Sequence, residues 1–390
     1  MRAVSGIVTH GADCLGVTEP FAVEVPWWAD VAEVVGGLRA RLGVPVTVLR
    51  LLTVEGGEGA RDGHVTYHVE ADEPPARGLA KTAVTYDGIA RPQRFRAPWA
   101  TTAGVRELLG WARERLAAAG NPVTGPAEQH KTWNLAALFR LPTAGGPVWL
   151  KATPHFAADE SAALAAIAAH DPALVPEVIA SEPGRVLLTH VPGEHNRAAA
   201  DDVIAAVLGR FARVQAALAA APPQELPDRR DPAEQVRALL DDGVPELTPD
   251  ERAAARRLTG RWRELAGCGL PDTLVHGDFH PVNWHGDPPV VIDLADAHLG
   301  NPVLDGLRAI DFLPTKAKPA AARAWVRAWT DLVPGSDPGR ALDVAEPLAH
   351  LAYAVRYQEF LDGIEPGERI YHEGDPAAAV REALRVDRSA

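Results

Sequence analysis

The stretch His276-Gly277-Asp278-Phe279-His280-Pro281-Val282-Asn283, followed by Asp293 at the end of Val290-Val291-Ile292, constrains this chain more than anything else in it. An acid, then an amide a few residues on, then a second acid behind a short apolar run bring hard oxygen donors to one cleft. Phosphoryl transfer needs that set. One carboxylate orients the attacking hydroxyl and accepts its proton, while an amide oxygen and a second carboxylate hold Mg²⁺ against the phosphates. Oxygen ligands suit Mg²⁺ and argue against zinc. Pro281 limits backbone freedom between Asp278 and Asn283. Pro288-Pro289-Val290-Val291-Ile292 reads as a short strand that delivers Asp293. Taken alone, Asp278 is a turn or capping aspartate. The spacing of the whole set gives it weight.

His276 to Asn283 and Ile292-Asp293 resemble the catalytic and metal-binding motifs of the aminoglycoside phosphotransferase family. That family has a protein-kinase-like fold and includes choline, homoserine, methylthioribose and sugar kinases. Gly300-Asn301-Pro302-Val303-Leu304-Asp305 resembles its Gly-Asp-Pro-x-x-Asp segment, whose last Asp buttresses the catalytic loop. His276-Gly277 stands where eukaryotic protein kinases carry His-Arg, and no Ala-Pro-Glu follows Asp293, which points to a small-molecule acceptor. The resemblance covers roughly residues 125 to 370. It implies an α+β, bilobal protein-kinase-like fold with a small β-rich N-lobe and a helical C-lobe, preceded by a small α+β domain. It also implies roles: Asp278 as base, Asn283 and Asp293 as Mg²⁺ ligands, and His276, His280 and Asp305 as supports behind them.

A phosphotransferase also needs a cation on the nucleotide phosphates. Only five lysines occur (Lys81, Lys131, Lys151, Lys316 and Lys318), and Lys151 ends the apolar strand Val148-Trp149-Leu150. Burying it is costly unless an anion meets it, although a strand-end lysine can also snorkel to water. The helix expected over 157–170 buries Leu164 and Ile167, and Glu160 falls on the same face. Lys151 and Glu160 are therefore expected to pair, as the strand lysine and helix glutamate of kinases do. No G-x-G-x-x-G loop or Walker A signature precedes Lys151, which leaves the tip Gln129 to Asn134 as the nucleotide loop. Arg185 to Val191 reads as a strand broken by Pro192-Gly193, and by resemblance Thr189, His190 and Val191 meet the nucleotide base.

The 390 residues have room for two or three domains. A formal charge of −13 makes nucleic acid an unfavourable partner and favours a cationic substrate, though solvated acidic surface is the commoner explanation. Cys14 and Cys268 lack metal-ligand spacing and read as free thiols of a reducing cytoplasm. No apolar run long enough to span a membrane and no signal peptide is present, so a cytoplasmic location is expected.

Three regions are expected: a small accessory or cap domain over 1–100, a linker helix and N-lobe over 101–191, and the C-lobe over 192–390. In the first, Val31, Val34, Val35, Leu38 and Leu42 mark a helix. Strands are expected at 44–54, 64–70 and 79–86, forming an antiparallel meander with one solvated face. Residues 87–102 read as a linker. Further helices are expected at Val105–Leu116, 201–218, 248–265, 343–361 and 376–385, the third opened by a capping box at Thr248.

The leading expectation is an ATP- or GTP-dependent, Mg²⁺-requiring O-phosphotransferase acting on an antibiotic of aminoglycoside or cationic-peptide type. The alternatives are a sugar or metabolite kinase of the same fold, and a pseudokinase that binds nucleotide without turnover. Its acceptor is expected near Tyr357, Gln358, Glu359 and Glu365, where an acid can meet an amine.

Overall fold

A computed structural model describes residues 1–76 and 78–388. The chain divides into two compact units. Unit 1 comprises residues 1–156, 179–188 and 360–373, and unit 2 comprises residues 157–178, 189–359 and 374–390. Residues 1–100 therefore share a unit with the segment that follows them.

Unit 1 opens with β1 (Arg2–His10), β2 (Asp13–Val17), β3 (Phe21–Val23), α1 (Ala32–Leu42), β4 (Val46–Glu55) and β5 (His64–Ala71). The sheet order is β2-β1-β5-β4, with β3 also on β1. α1 forms where the apolar spacing predicts it, burying Val34, Leu38 and Leu42, and ends at Gly43 in the left-handed conformation. Its apolar face packs with Val4, Val8, Val48, Val65, Tyr67 and Val69.

The expected antiparallel meander is not what forms. β1 runs parallel to β5 and takes the centre of the sheet. Residues 79–86 make a single bridge, Ala80 to Val17, instead of a strand. Nor is the second face of β5 solvated. His68 and Glu70 are buried, and Thr9 Oγ1 lies 2.9 Å from His68 Nε2 and donates to Glu70 Oε2 at 2.7 Å. Arg50, on β4 opposite His68, donates to the Ile89 carbonyl at 2.8 Å. The residues read as a linker thus fold over that polar face. They contain α2 (Tyr86–Ala90), and Trp99 is buried with its Nε1 donating to the Trp133 carbonyl at 2.9 Å.

α3 (Thr102–Ala118) follows, then β6 (Glu128–Thr132), β7 (Ala137–Leu141), β8 (Val148–Ala152), β9 (Val178–Glu182) and β10 (Arg185–Thr189). These strands form a second sheet in the order β6-β7-β8-β10-β9, and its core joins Leu108, Trp111 and Leu116 of α3 to Phe139, Leu150 and Leu187. Residues 360–373 complete unit 1. Glu365 is buried against Arg96 (2.8 Å) and Arg50 (3.5 Å), while Tyr371 packs edge-on to Trp28 and Trp133.

Unit 2 is mostly helical: α4 (Glu160–Ala168), α5 (Asp201–Leu218), α6 (Pro232–Asp242), α7 (Pro249–Leu258), α8 (Arg261–Ala266), α9 (Val303–Asp311), α10 (Lys318–Leu332), α11 (Pro338–Gly363, within unit 2 to Glu359) and α12 (Asp375–Asp387). The capping box at Thr248 and Glu251 is present. The helix expected to run on to Leu265 breaks at Thr259-Gly260, where the Thr259 hydroxyl donates to the Arg256 carbonyl at 2.8 Å. Two short antiparallel strand pairs carry the motif loops. β11 (Thr273–Val275) pairs with β14 (His298–Gly300), and β12 (Trp284–His285) with β13 (Val290–Val291). Among the described residues no helix is long and apolar enough to cross a membrane.

Candidate active site

β11 ends at His276, and the loop after it is fixed from beneath. The buried Asp305 carboxylate, on α9, accepts from His276 N at 2.8 Å, Gly277 N at 3.1 Å and Gln215 Nε2 at 2.8 Å. Burial pushes that carboxyl up to about 7, against the three donors. Gln215 also donates to the Leu274 carbonyl at 3.0 Å. Gly277 sits at φ +84, and a Cβ there would lie 2.4 Å from the Asp296 carbonyl, so no side chain fits.

His276 is wholly buried and joins the two motif loops. Its Nδ1 accepts from Asp278 N at 3.2 Å, which leaves the proton on Nε2 to donate to the Ile292 carbonyl at 3.0 Å. Burial lowers its affinity for a second proton. From the other side, Ile292 N donates to the Asn283 carbonyl at 3.0 Å, so the β12–β13 hairpin sets Asp293 beside Asn283 along the chain pairing. Asp293 adopts φ +66, a left-handed conformation that aspartate tolerates better than most residues. Strained backbone of this kind recurs at functional sites.

Asp278 is where the loop's polar groups converge. Its Oδ2 accepts from Asn283 Nδ2 at 3.2 Å and from His280 Nε2 at 3.2 Å, and its carbonyl accepts from Asn283 Nδ2 at 2.9 Å. Its Oδ1 accepts from Arg308 Nε at 2.8 Å and Nη2 at 2.7 Å. Burial opposes the charge. The His280 hydrogen bond and the Arg308 guanidinium outweigh it, holding the carboxyl well below the usual carboxylate range. His280 Nδ1 accepts from Val282 N at 3.3 Å, and its ring stacks on Phe312 with centroids 4.1 Å apart.

The donor set fits a hard cation. Both bonds of the Asn283 side chain are made by its Nδ2, which leaves Oδ1 as an oxygen donor, and the backbone bond from Ile292 N to the Asn283 carbonyl brings the residue before Asp293 against it. Among the described residues no group of three or more His, Cys, Asp or Glu side chains forms an all-protein metal site.

Lys151 is buried in β8 of unit 1, opposite Leu138 of β7. Glu160 is buried at the first turn of α4 in unit 2, and its Oε1 accepts from Leu294 N at 3.0 Å, next to Asp293. Thr189 is the last residue of β10, its Oγ1 accepting from Glu177 N at 3.1 Å, with His190 exposed and Val191 half-buried after it.

The acceptor residues expected from sequence separate. Glu365 belongs to unit 1, where Arg96 and Arg50 meet its charge. Glu359 does face the catalytic loop's surroundings, but already paired: it accepts from Arg229 at 2.6 Å and Arg356 at 2.8 Å. Tyr357 is half-buried in the field of Arg308 and Asp278, and Gln358 lies over Gly243.

A cavity in unit 2 is lined by Gly277, Asp296, His298, Leu304, Tyr353 and Arg356, among others. Burial, reinforced by Arg229, lowers His298 to about 3, so that ring is neutral. Arg308 and Gln215, whose side chains hold Asp278 and Asp305, are the residues of this site that the sequence did not single out. Only Arg308 left a trace, three residues after Asp305 on the helix that Pro302 opens.

Residues 136–348, more than half of the chain, match the sequence profile of the phosphotransferase enzyme family. Among solved structures, the choline kinase LicA from Streptococcus pneumoniae is similar at 12% identity and TM-score 0.55, over 73% of this chain and 100% of that one. The choline kinase from Cryptosporidium parvum Iowa II is similar at 10% identity and TM-score 0.50, over 73% of this chain and 96% of that one. No curated protein matches the chain. The fold is the kinase-like one, as the family resemblance implies, and the chain belongs to the phosphotransferase enzyme family, whose chemistry is phosphoryl transfer to small molecules.

Proposed function

We propose that this protein transfers the γ-phosphoryl group of ATP to a hydroxyl of a small molecule, with Asp278 orienting that hydroxyl and accepting its proton. The observation that carries this reading is the convergence of Asn283, His280 and Arg308 on one carboxylate at the end of a loop that admits no side chain at Gly277. A base held so firmly is charged throughout the physiological range, and in a loose phosphoryl-transfer transition state positioning matters more than basicity. Asn283 Oδ1 and Asp293 would hold Mg²⁺, which when bound neutralises charge on the transferring phosphates. Lys151 would supply a cation to the nucleotide, and Glu160, with Thr189, His190 and Val191, would support the same nucleotide. His276 and Asp305 keep the two motif loops in register. The acceptor would enter the cavity bordered by Gly277 and Tyr353, with Tyr357 close by.

Transfer of radioactive phosphate from ATP to a panel of hydroxylated metabolites tests the reading, with GTP run in parallel. Asp278→Asn should lower kcat by roughly 10²–10⁴-fold with little change in nucleotide affinity. A variant as fast as wild type on a verified acceptor would remove Asp278 from the chemistry.

A further inference from the structure

The charges around the cavity bear on what the acceptor is. Arg229, Arg356 and Asp296 are the charged residues of its lining. Gly277, directly before Asp278, and Tyr353, against which the Arg308 guanidinium stacks at 4.9 Å, line it too. The lining thus stops one residue short of Asp278 and one ring away from Arg308.

Every acid there already has an arginine. Asp296 accepts from Arg356 Nη2 at 2.6 Å, Glu359 from Arg229 and Arg356, and Asp278 from Arg308. An ammonium entering this cavity would meet acids whose charge arginines already balance, and would face those guanidiniums as like charges. An anion faces no such cost. Arg308 is clamped between Phe312 (4.4 Å) and Tyr353, with Nε and Nη2 on Asp278 Oδ1, and its Nη1 has no acceptor among the described residues. A guanidinium carries five N–H donors in a fixed fork, so two edges can serve two partners at once.

We propose that the acceptor carries a carboxylate or phosphate group beside its reacting hydroxyl, and that Arg308 binds this group through Nη1 while Nε and Nη2 keep hold of Asp278. The proposal rests on the reading of Asp278 as the hydroxyl-orienting residue. It replaces the amine-bearing acceptor that overall charge favours with an anionic one that local charge favours.

The test uses four probes of one hexose frame: D-glucuronate, D-glucose 6-phosphate, D-glucose and D-glucosamine. Each is titrated calorimetrically into the full-length protein with Mg²⁺ and ADP present. At least one anionic probe should bind about tenfold or more tightly than glucose, with glucosamine weakest. The stronger of the two anions distinguishes carboxylate from phosphate. Arg308→Gln should erase the preference, and Arg308→Lys, which keeps the charge, should retain part of it even if the glutamine variant folds poorly. Tightest binding by glucosamine, equal or absent binding of all four, or a preference that survives Arg308→Gln would each overturn the proposal. Asp278→Asn, run alongside in the phosphate-transfer assay, separates the two readings. Wild-type transfer by that variant faults the role of Asp278, whereas lost transfer without any anion preference faults only Arg308.

Discussion

At the residue scale, the loop from His276 to Asn283 shows how few side chains need to be placed when each does two jobs. Asn283 uses Nδ2 on Asp278 and leaves Oδ1 for a cation, so its replacement should act on both. Asn283→Ala is expected to lower kcat and to weaken the Mg²⁺-dependent gain in nucleotide affinity. Asp293→Ala should abolish that gain, because a full charge is lost rather than a neutral oxygen. Nucleotide titrations with and without Mg²⁺ check both, and unchanged metal dependence in Asp293→Ala would place the cation elsewhere. These residues were legible because their work imposes a spacing along the chain. Arg308 and Gln215 were not, since their partners lie 30 and 59–90 residues away and only the folded helices α5 and α9 bring them in.

At the scale of elements, local rules held where the chain's own neighbours decide the outcome. α5 has the bounds its apolar spacing predicts, and α7 starts at its capping box. Thr248→Ala should cost about 1 kcal/mol, read as a lower Tm with activity kept. Gly277→Ala should do more harm for another reason: a left-handed backbone and a carbonyl 2.4 Å from the new Cβ. Its melting curve should drop and its turnover fall together, and a stable, active Gly277→Ala would mean the loop is less fixed than its hydrogen bonds indicate. Local rules failed where distant residues decide. β1 carries Arg2, Ser5, Gly6, Thr9 and His10 among its apolar residues, and it becomes a central strand only through parallel pairing with β5, some sixty residues on. The polar row of β5 reads as solvated until residues 85–96 are found covering it.

For the molecule as a whole, the buried charges of unit 1 make its stability depend on pH. Burial, with Glu365 beside it, pushes Glu368 up to about 8 from an ordinary value of 4.5. A carboxyl that holds its proton more tightly when folded contributes fully below pH 4.5, and that contribution is lost as pH rises through 8. His68 works in the opposite sense: burial, with Arg50 and Arg96 nearby, lowers it from 6.5 to about 3, so its contribution is lost as pH falls below 6.5. Between 6.5 and 8 Glu368 acts alone of the two, with a slope of up to about 1.4 kcal/mol per pH unit. Calorimetric melting across that window should show a decline that Glu368→Gln flattens; a decline of the same slope in the variant would assign it to other groups.

The segment 360–373 carries a consequence for how the protein is made. Arg50 and Arg96 are buried, and the glutamate that answers them, Glu365, leaves the ribosome 269 residues after Arg96. Until it emerges, the growing chain holds two inward-facing cations with no counter-charge and a Trp28–Trp133 surface that Tyr371 has yet to cover. Unit 1, although it begins the chain, can close only after nearly all of unit 2 has been synthesised. A ribosome-bound chain stalled at residue 359 should therefore remain open to protease within its first 156 residues, and one released after residue 388 should not.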